Sequence, residues 1–131
     1  MTEIADFGPF DAETLVVGWL GDLYRTANVR RPGDPLPFCL IQMIKGIESI
    51  DESTADHLVQ VDILCDKVDG EVAARDVKDD VHRRMLLLGR NLEIDATLDW
   101  MKVFESPRRL EFGSDTIIRY TARYQFGQTY D

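Results

Sequence analysis

Asp79 and His82 stand three residues apart in a stretch of helical periodicity, the spacing that lets two side chains on one helix face reach a common metal ion. No third ligand is indicated, so the pair reads as two solvated polar residues. Asp51, Ser53, Ala55 and His57 follow the spacing of a calcium loop as far as Ala55, which has no side-chain oxygen, and no glycine sits between Ala55 and His57 to make the turn. Asp62 and Asp66 share the polar side of an alternating segment and have the chemical type of an acid and a base, but nothing around them suggests a pocket. Cys39 and Cys65 lie inside apolar runs, far apart in sequence and without zinc or redox spacing. They read as small hydrophobes that could be neighbours across a sheet, in a reducing cytoplasm. No stretch matches a phosphate-binding glycine loop, a nucleophile elbow or a zinc-protease helix. The residues therefore point to no enzyme, no cofactor and no metal.

The elements that would position such groups are easier to read. A chain of 131 residues with 44% apolar content is sized for one core, so 1–131 is expected to form a single domain. Its formal charge of -9, from 24 acidic against 15 basic side chains, sets up a field that repels phosphate at long range. The N-terminal residues show no basic segment followed by an apolar run, and no stretch approaches membrane-spanning length, so a soluble, unexported chain is expected.

Asp11 is placed to cap a first helix over "DAETLVVGWLGDLYR", with Phe10 and Leu15 at staple positions and Leu15, Trp19, Leu20 and Leu23 on one face. Gly18 and Gly21 would let a neighbour approach closely. Three prolines between Pro32 and Pro37 delay the next element to Phe38, from which a strand should run to about Lys45. Residues 46–57 read as a long, polar, acidic loop holding Asp51 and Glu52. A second strand follows, in which Val59, Val61, Ile63 and Cys65 alternate with Gln60, Asp62 and Asp66 as in a one-sided sheet. The clearest helix spans "DGEVAARDVKDDVHRRMLLLGR", capped by Asp69 and ended by Gly89, with Ala74, Val77, Val81, Met85 and Leu88 as its apolar stripe and a mixed-charge outer face. Two strands, "WMKVFESP" and "DTIIRYTARYQFGQTY", close the chain around a turn at "RRLEFGS" that carries Arg108 and Arg109. In the last strand Ile118, Tyr120, Ala122, Tyr124 and Phe126 share one face, while Arg119, Thr121 and Arg123 share the other. Aromatics and arginines on opposite faces do not make a base-stacking platform, so no sequence-specific nucleic acid is expected.

The resulting class is α+β: an antiparallel or mixed sheet of about four to five strands with two main helices packed on it, in the order α-β-β-α-β-β. The helix "ETLVVGWL", the proline-rich approach "RPGDPLPFCLIQMI", the strand "HLVQVDILC" running into "VAARDVKDDVHRRML", and the closing "RRLEFGSDTIIRYTARYQF" together resemble the tail terminator proteins of long-tailed bacteriophages, over nearly the whole chain. The resemblance implies a virion structural protein of the tail and neck, assembled in the host cytoplasm. It would form a homo-hexameric ring that caps the tail tube, ends its polymerisation and presents a surface to the head. Its partners would be itself, the tail tube protein and a head-tail connector protein, with no membrane and no catalytic residue. Arg108, Arg109, Arg119 and Arg123, set against an acidic body and the loop residues Asp51 and Glu52, are the candidate interface residues. A different neck protein, an adaptor or stopper, is the nearest alternative. A small cone-shaped α+β ligand-binding or lyase domain, with a paired acid and histidine in a deep pocket, is the more distant one.

Overall fold

The computed structural model describes residues 12–49, 54–90, 100–111 and 115–129. They form two helices and five strands: α1 (Ala12–Leu20), β1 (Arg25–Ala27), β2 (Phe38–Ser49), β3 (Thr54–Asp66), α2 (Gly70–Arg90), β4 (Trp100–Leu110) and β5 (Ile117–Thr129). The sheet order is β1-β2-β3-β5-β4, parallel between β1 and β2 and antiparallel elsewhere. The class is the expected α+β. The additional strand β1 is three residues long, too short for an alternation to betray it.

Both helices lie on one face. Val59, Val61, Ile63 and Cys65 of β3 and Ile118, Tyr120, Ala122, Tyr124 and Phe126 of β5 join Ala74, Val81, Met85 and Leu88 of α2 in one buried cluster, as their periodicities predict. In α1 the buried residues are Ala12, Val16 and Leu20, one helical step from the expected stripe. Leu15 and Trp19 flank the core half-buried, and Leu23 lies beyond the helix end and is 39% exposed. Trp19 has another role: its indole Nε1 donates to the Arg84 carbonyl at 2.8 Å, and the Arg84 side chain stacks over its ring while donating to the Trp19 carbonyl at 3.1 Å. This clasp ties α1 to α2 at the margin of the core, where the polar indole edge finds a partner. Gly18 has open space around it, so the close approach expected there is not made. Asp11 and Phe10, the expected cap and staple, lie outside the described residues.

Between the helix and β2 the chain turns at Pro32 and Gly33, whose φ of 89° favours glycine. Arg30 lies over the Phe38 ring, and Phe38 pairs with Leu64 across β2 and β3. Both apolar side chains are fully buried, on the sheet face opposite the helices.

Residues 46–57 correct the sequence reading. They are largely strand: Gly46 pairs with His57, Ile47 with Asp56, Glu48 with Ala55 and Ser49 with Thr54, and the β3 part also pairs with β5. Hairpin backbone groups are satisfied by the ladder whatever the side chains are, so a polar, acidic composition does not distinguish a loop from a solvated strand pair. The register slips at Ile44, which is exposed. β4 likewise runs on through Pro107, Arg108 and Arg109 to Leu110, where a turn was expected. Pro107 sits at a register shift on an edge strand, the one sheet setting in which its missing N–H costs no ladder bond.

A short 3-10 turn, Lys67–Asp69, leads into α2 and is capped by Asp66, which accepts from the Val68 amide at 3.0 Å. Gly70, at φ 94°, then redirects the chain into the helix.

Candidate functional site

β3 is the central strand, and its second face is the surprise. Gln60 and Asp62, read as solvated positions, are only 8% and 6% exposed, and Thr121 beside them on β5 is 3% exposed. Among the described residues no helix covers this face; at Gln60 and Asp62 the side chains of Arg119 and Arg123 on β5 reach across the strand. Asp62 accepts from the Thr121 hydroxyl at 2.7 Å, from Gln60 Nε2 at 3.2 Å and from Arg119 Nη2 at 3.3 Å. Gln60 Oε1 accepts from Arg123 Nε at 3.1 Å, and that nitrogen also lies 3.5 Å from Glu105. Glu105 in turn is 4.0 Å from Arg108. The result is a continuous row, Arg108, Glu105, Arg123, Gln60, Asp62, Arg119, running obliquely over β4, β5 and β3 with its charges alternating.

The register explains why these residues meet. Antiparallel pairing sets Gln60 against Arg123 and Asp62 against Thr121, with Arg119 two residues further along β5 on the same face. Asp62 spends its acceptor capacity on three donors, so a desolvated carboxylate is tolerated there. Arg119 is the exception on the donor side: its Nε is buried without a hydrogen-bond partner. At the far end of the face Trp100 lies flat over Gly127, where any Cβ would meet the indole at 2.1 Å, and Lys102 sits 5.7 Å from the same ring.

Of the four arginines grouped by sequence, the structure brings together Arg108, Arg119 and Arg123. Arg109 points to the other side of β4 and pairs with Glu71 in the first turn of α2. Asp51 and Glu52 lie outside the described residues. Asp62 and Asp66 do not act together, since Asp66 caps the turn. Asp79 and His82 also part: Asp79 pairs with Lys78 at 2.8 Å, which lowers its pKa, while His82 turns inward to share a 2.8 Å hydrogen bond with the Tyr124 hydroxyl. Burial, assisted by the Lys78 charge, lowers the His82 pKa, and burial raises that of Tyr124. His82 and Asp62 lie on opposite sides of the sheet, so they do not form the acid–histidine pair of a cone-shaped lyase. No group of three metal-ligating side chains converges among the described residues.

Burial pushes the Cys39 thiol up to about 12 and the Cys65 thiol to about 11, so both remain protonated and unreactive at neutral pH. An open cleft of about 560 Å³ beside β1 is lined by Arg25, Thr26, Asn28, Arg31 and Asp34, and the Thr26 hydroxyl there donates to the Tyr24 carbonyl at 2.8 Å. No described helix is long and apolar enough to cross a membrane.

Charge is distributed differently from the acidic body that composition suggests. All fifteen Lys and Arg and fifteen of the Asp and Glu residues fall within the described segments, which are therefore balanced. The nine remaining carboxylates, equal to the whole net charge, belong to residues 1–11, 50–53, 91–99 and 130–131. Sequence reasoning missed Gln60, Asp62, Thr121 and Glu105 as partners of the arginines. The available signal was that polar residues of β3 and β5 fall at the same alternation phase. No family model and no curated protein matches the chain.

Proposed function

We propose that the protein is a tail-terminator-like structural subunit that assembles head to tail into a ring, caps a phage tail tube to stop its growth and offers its far side to a head-tail connector. The observation that carries this reading is the division of labour between the two sheet faces. The helix face is sealed by an apolar core, whereas the opposite face holds a preordered array of alternating charges suited to pairing with another protein surface. The two edges of the sheet also differ, three-residue β1 at one side and eleven-residue β4 at the other. Contact between unlike edges is heterologous, the kind that closes into a ring when the rotation permits. The sixfold count, the tube and the connector come from the resemblance in element order and apolar pattern.

The work of such a subunit is mechanical: it occupies the growing end and withholds a surface that would accept the next tube subunit. Electron microscopy of tails assembled with and without the protein tests the proposal. Overlong or unjoined tails in its absence are expected, with length control restored on adding the purified chain. Tails of normal length joined normally to heads would overturn it, and normal tails that fail only at joining would favour the adaptor or stopper reading.

A further inference from the structure

Arg25, Arg30 and Arg31 gather at the β1 end of the sheet, around the open cleft. Parallel pairing sets Arg25 beside Phe38, on the face away from the helices, and the turn residues Arg31 and Asp34 complete the lining. Arg30 lies over the Phe38 ring and donates from Nη2 to the Asp34 carbonyl at 2.7 Å, while its Nε is buried without a hydrogen-bond partner. Arg25 and Arg31 are exposed, and among the described residues neither guanidinium has a hydrogen-bond or ion-pair partner.

The carboxylates near this cleft are already engaged. Asp34 accepts from the Arg31 backbone amide at 2.8 Å, and Glu13 accepts from Asn28 at 3.3 Å and from the Met43 amide at 2.8 Å. Three guanidinium groups against these two carboxylates leave one positive charge in surplus. Asp62 and Asp66 share the sheet face but stand on β3, two interstrand spacings or about 10 Å from β1, close to the Debye length at 0.1 M salt. Each has its own donors, Thr121 and Arg119 for Asp62 and the Val68 amide for Asp66. Like charges gathered without a counter-ion repel one another, and an oxyanion from outside relieves them.

We propose that the cleft binds an acidic peptide segment of a partner protein, extended along β1, with its carboxylates on Arg25 and Arg31. Guanidinium and carboxylate match in charge and in planar, forked geometry. The peptide backbone finds a partner as well: β1 ends the sheet order, so its outward side has no neighbouring strand among the described residues and is open to strand addition. Side chains of an extended peptide alternate, so acidic residues two apart face the arginines together. Val29, 63% exposed in the lining, adds apolar contact beside the charges. A volume of about 560 Å³ exceeds the needs of a single ion and falls in the range of ligand clefts, about 300 to 1,000 Å³. A free phosphate would satisfy the arginines but use neither the strand edge nor Val29.

Calorimetric titration of the full-length protein with a capped pentapeptide of alternating Glu and Thr tests the site. R25E/R31E should weaken binding roughly tenfold or more. R75E/R90E makes the same change in net charge at two exposed arginines elsewhere and should bind as the wild type does. The matching peptide of Gln and Thr should not bind, and inorganic phosphate should compete only weakly. Circular dichroism checks that each variant is folded. A wild type that does not bind the acidic peptide would overturn the proposal outright. An equal loss in both double variants would assign the attraction to overall charge, and phosphate binding as tight as the peptide's would assign the cleft to a free oxyanion; either overturns a peptide site. The titration uses no tails, so neither its success nor its failure bears on the proposed terminator role.

Discussion

The two faces of this sheet are built from the same strands by opposite means. On the helix face, specificity comes from shape: Val61, Ile63, Tyr124 and Phe126 are fully buried against Val81 and Met85, and the stabilisation is non-directional, proportional to the apolar area removed from water. On the open face, Asp62, Gln60 and Thr121 are nearly as inaccessible, yet what holds them is a directional set of hydrogen bonds under arginine side chains that are themselves partly in water. An apolar face left uncovered would associate without selectivity. A polar face ordered in advance stays dispersed until a surface of complementary charge arrives, and it has already spent the entropy of fixing its side chains. The difference explains how, among the described residues, helices on one face accompany a five-stranded sheet.

That comparison can be broken most sharply on the helix face. Met85→Ala removes a fully buried side chain from between α2 and the sheet and should cost about 2 to 5 kcal/mol, read as a shift in the urea or thermal midpoint. A loss below about 1 kcal/mol would mean that the site collapses freely and that the core is not close-packed there.

The open face should respond less, and in a different way. Asp62→Ala leaves the Thr121 hydroxyl and the Arg119 guanidinium without their acceptor and is expected to cost about 1 to 3 kcal/mol. In a double-mutant cycle with Arg119→Ala the two losses should fail to add by about 0.5 kcal/mol or more. As a reference, Asp22→Ala removes a carboxylate that is 84% exposed and should change stability by about 0.5 kcal/mol at most. If Asp62→Ala is as mild as that reference, the network contributes nothing beyond its geometry.

The smallest effect lies between the faces, at His82. Its pKa is lowered in the folded protein, so the neutral ring is the favoured form there. The unfolded chain takes up a proton on this residue below the ordinary histidine value near 6.5, before the folded protein does. Its contribution to stability is thus complete above about pH 6.5 and declines as pH falls through the folded value. His82→Gln should flatten this part of the stability–pH profile, and an unchanged slope between neutral and mildly acidic pH would show that burial and the Lys78 charge do not hold this ring neutral.

The main elements were legible where one periodicity ran uninterrupted. The stripe Ala74, Val81, Met85, Leu88 and the alternation Ile118 to Phe126 each specify a buried face through local geometry, 3.6 residues per turn in one and two per repeat in the other. Where that signal is weak, the reading slipped. The polar side chains of residues 46–57 read as a loop, although Gly46–Ser49 and Thr54–His57 pair with each other as a hairpin and the second of these segments also pairs with the distant β5. Arg108 and Arg109 read as neighbours in a turn, because Pro107 precedes them. The continuation of β4 separates them, sending Arg109 to Glu71 and Arg108 toward Glu105.

What the amino-acid sequence determined by itself is the class of the fold, the two helices, the inward faces of α2, β3 and β5, and the excess of nine carboxylates, because each depends on residue type and on spacing within one element. Only the tertiary structure decided that Gln60 and Asp62 are buried and that they join Arg119, Thr121 and Arg123. The physical reason is that strand order and register are set by pairing between segments some sixty residues apart, and no local pattern records which strand will be central and which will be left at the edge.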